Sequence, residues 1–158
     1  MNYSPMSVQL ADTPLALQEH MLTMTKKIGL MTSGLAAMKY QQKLADEQEV
    51  LAILADIVIE IYAMESGLLR ALKIIEKDGE EAAKYQIAAV KCYVDETVPR
   101  IEYWAKRLIA YVEDGDTMKT QLASIKKLAR YQQIDTVSLK REIAARVIDL
   151  EEYPFFNL

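Results

Sequence analysis

The sequence predicts an all-α protein, an antiparallel bundle of four to five helices. Two observations carry this. Apolar residues recur every three or four positions over runs far longer than a strand. Short turn signals, Asp78-Gly79 and Asp114-Gly115-Asp116-Thr117, separate those runs, and no segment reads as a strand. Long helices joined by short turns pack antiparallel.

Residues 1–13 read as a loose lead-in and residues 14–158 as a single domain. A chain of 158 residues can bury a core without disulfides or a metal. Thr13 is suited to cap the first helix and Pro14 to its first position. That helix runs to about Tyr40, with Leu30, Met31, Leu35 and Met38 as its apolar surface. Gly29 and Gly34 weaken a helix interior, so both are read as points of close helix approach.

The second helix, about Asp46 to Lys77, carries the longest stripe: Leu51, Leu54, Val58, Ile61, Leu68, Leu72 and Ile75. Val50, Ile53, Ile57, Tyr62, Met64 and Leu69 widen it beyond one face, which predicts a central place in the bundle. Its charges sort by end, with Glu47, Glu49, Asp56 and Glu60 early and Arg70, Lys73 and Lys77 late. That order suits the helix dipole. Asp78-Gly79 stops the helix.

A third helix is expected from near Glu80 to Val112, with a kink or break at Pro99, which has no N–H to donate. A fourth covers roughly 117–132, with Met118, Leu122, Ile125 and Leu128 inward. A fifth covers roughly 136–151, with Leu139, Ile143, Val147 and Ile148 inward. The aromatics of Tyr153-Pro154-Phe155-Phe156 are expected to fold back on the bundle.

Composition narrows the function classes. Half the residues are apolar and 27% are charged, a globular balance. The net charge of −4 disfavours general nucleic-acid binding. Residues 116–148 nevertheless carry seven basic and three acidic side chains. Within them Lys119, Lys126, Lys127 and Arg130 flank an apolar helix face and are candidates to meet an anionic surface. Apolar runs are too short to span a membrane. The start resembles no secretory leader, and Cys92 stands alone, so a cytoplasmic setting is expected.

Chemistry-bearing constellations are missing. A di-iron bundle needs Glu-x-x-His pairs on two helices, and His20 is the sole histidine. One cysteine and one histidine make no zinc site. His20 reads as an ordinary helix-surface residue, and Cys92 as a small hydrophobe in an Ala/Tyr-rich stretch. No phosphate-cradling glycine loop is present. Glu65 is the acid that falls on the main stripe of the second helix. It reads as a buried structural carboxylate paired with an arginine or tyrosine, with a tuned acid–base role as the rival reading.

Residues 45–75, ADEQEVLAILADIVIEIYAMESGLLRALKII, resemble the first long helix of the extra C-terminal domain of very-long-chain-type acyl-CoA dehydrogenases, found in many bacterial members. The features are the acids before Val50, then Ala55-Asp56, Ile61-Tyr62-Ala63-Met64-Glu65-Ser66 and Leu68-Leu69-Arg70-Ala71. The likeness continues through Ala88-Ala89-Val90-Lys91-Cys92-Tyr93 to Tyr153-Pro154-Phe155. These are packing patterns, not active-site signatures. In that family a dehydrogenase core precedes the domain, binds FAD and holds the catalytic glutamate. No segment here matches the flavin-contacting regions, and no Tyr-Glu-Gly-Thr loop is present. The resemblance therefore implies FAD in a parent enzyme of fatty-acid β-oxidation and none in this chain. It implies no catalytic, cofactor-binding or metal residue here.

The partners so implied are the dehydrogenase core of the same polypeptide or a second subunit, as a homodimer. A peripheral membrane-surface or acyl-chain-binding module is the alternative, and an independent small enzyme is a third reading. The wide apolar arc of the second helix, with Met21, Leu22, Met24, Leu30 and Met31 of the first, predicts an uncovered patch that seeks another polypeptide.

Overall fold

The computed structural model describes residues 13–153 and 155. Five α-helices follow in order: α1 Ala16–Tyr40, α2 Gln48–Asp78, α3 Lys84–Val112, α4 Gly115–Leu128 and α5 Thr136–Leu150, with a 3-10 helix Gln41–Asp46 between α1 and α2. There is no strand among the described residues. The lead-in 1–12, Pro154 and Phe156 lie outside the described residues.

α1, α2 and α3 form an antiparallel trio. Lys26 meets Glu65, Glu60 meets Thr97, and a Cβ on Gly67 would touch Val90, so successive helices run in opposite directions. The core between them holds Met21, Ile28, Ile57, Met64, Leu68, Val98, Ile101 and Ile109, with Ile125 of α4 closing it. A smaller cluster, Ala36, Val50, Leu108 and Val112, closes one end. Buried hydroxyls are satisfied locally: Thr25 donates to the Leu22 carbonyl at 2.9 Å and Thr32 to the Ile28 carbonyl at 2.9 Å.

The hub is α3, not α2. α3 packs against α1, α2, α4 and α5. The breadth of the apolar arc on α2 overstated its burial, because Val58, Ile59, Tyr62 and Leu69 point to solvent. The same reason corrects α1, where Leu30 and Met38 are exposed while Met31 and Leu35 pack on the core. Gly29 is a close approach: a Cβ there would sit 3.0 Å from Cδ1 of Ile61. Gly34 is not, since a Cβ there would meet nothing within 4 Å.

Helix ends also moved. α1 starts at Ala16 and no side chain caps it; the Thr13 carbonyl instead accepts from the Ala16 N–H at 3.2 Å. Gly79 ends α2 with φ 88°, a conformation open to glycine. Turns fill residues 80–83, so α3 starts four residues after Glu80. α4 begins at Gly115. At α5 the Asp135 side chain caps the helix, accepting from the Ser138 N–H at 3.0 Å.

No residue of α5 is buried. Leu139 and Ile143 are half-buried, but Val147 and Ile148 are exposed, against expectation. Charge and aromatic contacts to α3 replace burial: Lys140 with Glu96, Lys84 with Glu142 at 3.9 Å, and Arg146 over the Tyr85 ring. Tyr153 stays exposed and meets Phe155 edge-on, with ring centroids 5.4 Å apart.

α3 runs unbroken through Pro99, where a kink or break was expected. Pro99 lies on the exposed side, so its ring faces solvent. Having no N–H, it leaves the Asp95 carbonyl one turn back without its helical donor. Tyr131 supplies the replacement, donating its hydroxyl to that carbonyl at 2.7 Å. The Asp95 carboxylate accepts from the Ile134 N–H at 3.2 Å. One residue of α3 thus pins both ends of the α4–α5 connection.

Tyr131→Phe should destabilise the protein by about 1–3 kcal/mol in urea denaturation, the cost of an orphaned part-buried carbonyl. In a Pro99→Ala background the restored N–H serves that carbonyl. There the same substitution should cost about 1 kcal/mol less, read as a double-mutant cycle.

Candidate interaction surface

The outer face of α2 carries the most exposed apolar surface of the long helices. Ala55, Val58, Ile59, Tyr62, Ser66 and Leu69 recur at three- and four-residue spacing on one exposed stripe, with Tyr62 at 72% exposure. The helix packs on α1 along one flank through Ile57, Ile61 and Glu65, and on α3 along the other through Glu60 and Gly67. The stripe lies between those flanks, and Leu30 of α1, one turn from Lys26, borders it.

The carboxylates on the two flanks differ. Glu65 is 38% exposed, not buried, and its partner is Lys26 of α1 at 2.5 Å, not an arginine or tyrosine. Its position at the edge of the α2 stripe tilts it toward the α1 seam and out to water. The arginine and tyrosine pairing expected for it belongs to Glu60, whose side chain is 16% exposed. Glu60 accepts from the Tyr93 hydroxyl at 2.6 Å, the Thr97 hydroxyl at 3.3 Å and the Arg100 guanidinium at 3.1 Å. Burial, then the hydrogen bond to this carboxylate, push the Tyr93 hydroxyl above its ordinary range, so it stays a donor. The signal was in the sequence: Tyr93, Thr97 and Arg100 share one face of α3 at spacings of four and three.

Other candidates are scattered. Lys119, Lys126, Lys127 and Arg130 are all exposed. Lys119 is tied to Asp116 at 2.9 Å, and Lys126 returns to its face two turns on. The apolar residues they flank, Met118, Leu122, Ile125 and Leu128, are packed into the bundle core. α4 therefore has no free apolar face to lay into a lipid surface. His20 is half-buried on α1. Cys92 is buried, and burial pushes its thiol up even with Lys140 nearby, which makes a poor nucleophile. Among the described residues no group of three or more His, Cys, Asp or Glu is arranged to hold a metal. No described helix is long and apolar enough to cross a membrane.

An open groove of about 580 Å³ lies between the start of α1 and α5. Leu17, Ile134 and Leu139 give it apolar walls, and Gln18, Lys91 and Ser138 its polar lining. Its carboxylate, Asp135, is occupied as the α5 cap, and its hydrogen bonds from Ser138 hold it below the usual range. The groove thus offers no poised general base.

Comparison with known proteins agrees with this architecture. A family model described as "Acyl-CoA dehydrogenase, C-terminal domain" matches residues 24–127. A probable acyl-CoA dehydrogenase of Bacillus subtilis (strain 168) is 37% identical over 136 residues, covering 86% of this chain and 23% of that protein. The crystal structure of an acyl-CoA dehydrogenase complexed with FAD from Bacillus anthracis is similar with TM-score 0.90 and 42% identity. That likeness covers 95% of this chain and 26% of the other. The chain thus spans about a quarter of the length of the relatives it matches.

The two α2 carboxylates should separate on mutation. Glu65→Gln breaks a half-exposed pair and should cost no more than about 1 kcal/mol. Glu60→Gln weakens hydrogen bonds from three donors at a less exposed site and should cost about 1–2 kcal/mol. Equal losses in chemical denaturation would contradict this assignment.

Proposed function

The chain belongs to the family of acyl-CoA dehydrogenase C-terminal domains, and from that membership we propose that it is the accessory helical domain of a flavin-dependent acyl-CoA dehydrogenase acting in fatty-acid β-oxidation. In this reading the parent's catalytic core binds FAD and performs the oxidation. This domain packs on that core, supports the dimer and contributes no catalytic residue of its own. The observation that carries the reading is coverage. Nearly the whole chain superposes on about a quarter of an FAD-complexed dehydrogenase.

The physical support comes from the surface. An exposed apolar stripe one helix wide, between well-packed flanks, has the character of an interface. Two acids of α2, Glu60 and Glu65, are engaged in ion pairs and hydrogen bonds between helices, which suits a structural role. The packed apolar side of α4 argues for protein contact over membrane insertion.

The expected result is a colourless chain. Purified alone, it should carry no flavin through gel filtration and reduce no electron acceptor with acyl-CoA. The parent polypeptide should be yellow and active. Stoichiometric flavin retained by this chain alone would overturn the proposal.

A further inference from the structure

We infer that the groove between the start of α1 and the start of α5 binds a small amphipathic carboxylate, with its head at the α1 N-terminus and its apolar body along the groove. The inference is independent of the role proposed above. It rests on groups that the fold brings to one place.

The head site is the uncapped end of α1. The Ala16 N–H is taken by the Thr13 carbonyl and the Glu19 N–H by the Leu15 carbonyl, and no side chain caps the helix. Between them, the N–H groups of Leu17 and Gln18 have no acceptor among the described residues. First-turn N–H groups point back out of the helix end. Leu17 and Gln18 line the groove there, together with Thr13 and Pro14. A 25-residue helix puts roughly half a positive charge at that end.

Water serves such an end on most helices. Gln18 sets this one apart. It is 4% exposed, yet its amide makes no hydrogen bond among the described residues. Buried amides are paired as a rule, because an unpaired one is costly. The groove that Gln18 lines is the side from which a partner can reach it.

Charge selects the head group. Lys91 of α3 lines the same groove, half-buried and with no ion pair among the described residues. Asp135 lines it from the α5 end, but that carboxylate is committed to the Ser138 N–H at 3.0 Å and the Ser138 hydroxyl at 2.6 Å. One ammonium, two helix N-termini of roughly +0.5 each and one carboxylate leave about one positive charge. That balance matches a monoanion. A phosphate monoester carries close to two negative charges at neutral pH, and the excess would face Asp135. The adjoining groove shares Pro14, Lys91 and Leu139 and adds Glu80 and Glu81, which repel a second anionic group. Beyond the head site the walls are apolar: Leu17, Ile134 and Leu139, each half-buried. The volume of about 580 Å³ is that of a small-molecule site.

The test titrates the 158-residue chain with octanoate and follows backbone amide shifts by nuclear magnetic resonance. Saturable shifts are expected at Leu17, Gln18 and Leu139, with a dissociation constant of about 1 mM or tighter. Octanol, which lacks the charge, and inorganic phosphate, which lacks the apolar body, should each bind at least about tenfold more weakly. Gln18→Leu and Lys91→Met should each weaken octanoate about tenfold. Gln18→Leu should melt no lower than the parent chain, since it removes an unpaired buried amide; a glutamine serving the fold alone would lose stability and leave binding unchanged. If Gln18→Leu does not fold, Lys91→Met decides, because that side chain is half-buried and unpaired. No saturable shift up to about 10 mM, octanol or phosphate binding as tightly as octanoate, or full octanoate affinity in the folded variants would overturn the inference.

Discussion

α3 has to satisfy four neighbours at once, and the rest of the bundle follows from that. α1 and α2 cover two of its sides, α4 a third and α5 a fourth. Val94, Val98, Ile101, Ala105 and Ile109 are buried across successive turns. A helix packed on so many sides cannot bend away at a proline without opening the core. Pro99 is tolerated because its ring faces solvent and because the carbonyl it orphans is taken up from outside the helix by Tyr131. The defect in one helix thus becomes the attachment point for the next connection. Asp95 completes it with a side-chain bond to the Ile134 N–H.

Packing on the hub also divides the molecule into firmly and lightly held parts. The α1–α2–α3 trio buries apolar side chains throughout, and hydrophobic burial is not weakened by ionic screening. α5 buries none and is held by ion pairs, a ring contact and its Asp135 cap. Such contacts are individually weak and screened by ions. Local opening should therefore begin at α5 and leave the trio intact.

The helices themselves were legible in the sequence because their stripes are long and their breakers explicit. Gly79 and Gly115 both adopt positive φ at the ends where the turn signals placed them. Less legible was where each stripe points. A wide apolar arc has two physical meanings, burial on several sides or a surface awaiting a partner, and periodicity does not separate them. On α2 the outer half of the arc lies in water, and α3, with its narrower stripe and its tyrosines, proved the more buried helix. Glu65 failed for a related reason. It sits at the margin of the stripe, where half a residue of helical phase decides between core and water. Glu60 was passed over because its partners lie on another helix, and a pairing across helices shows in a single sequence only when both faces are read together. The likeness in residues 45–75 was legible because both faces of α2 carry their own pattern.

A helix patterned on both faces answers two packing problems with one set of side chains. Its inner face must fit α1 and α3, and Gly29, Ile57 and Gly67 show how closely. Its outer face keeps apolar side chains in water, forgoing roughly 25 cal/mol for every Å² left uncovered. The fold does not require that concession. Polar residues at positions 58, 59, 62 and 69 would leave the core untouched, since none of those side chains is buried. The outer pattern is therefore a statement about something other than this chain's own stability.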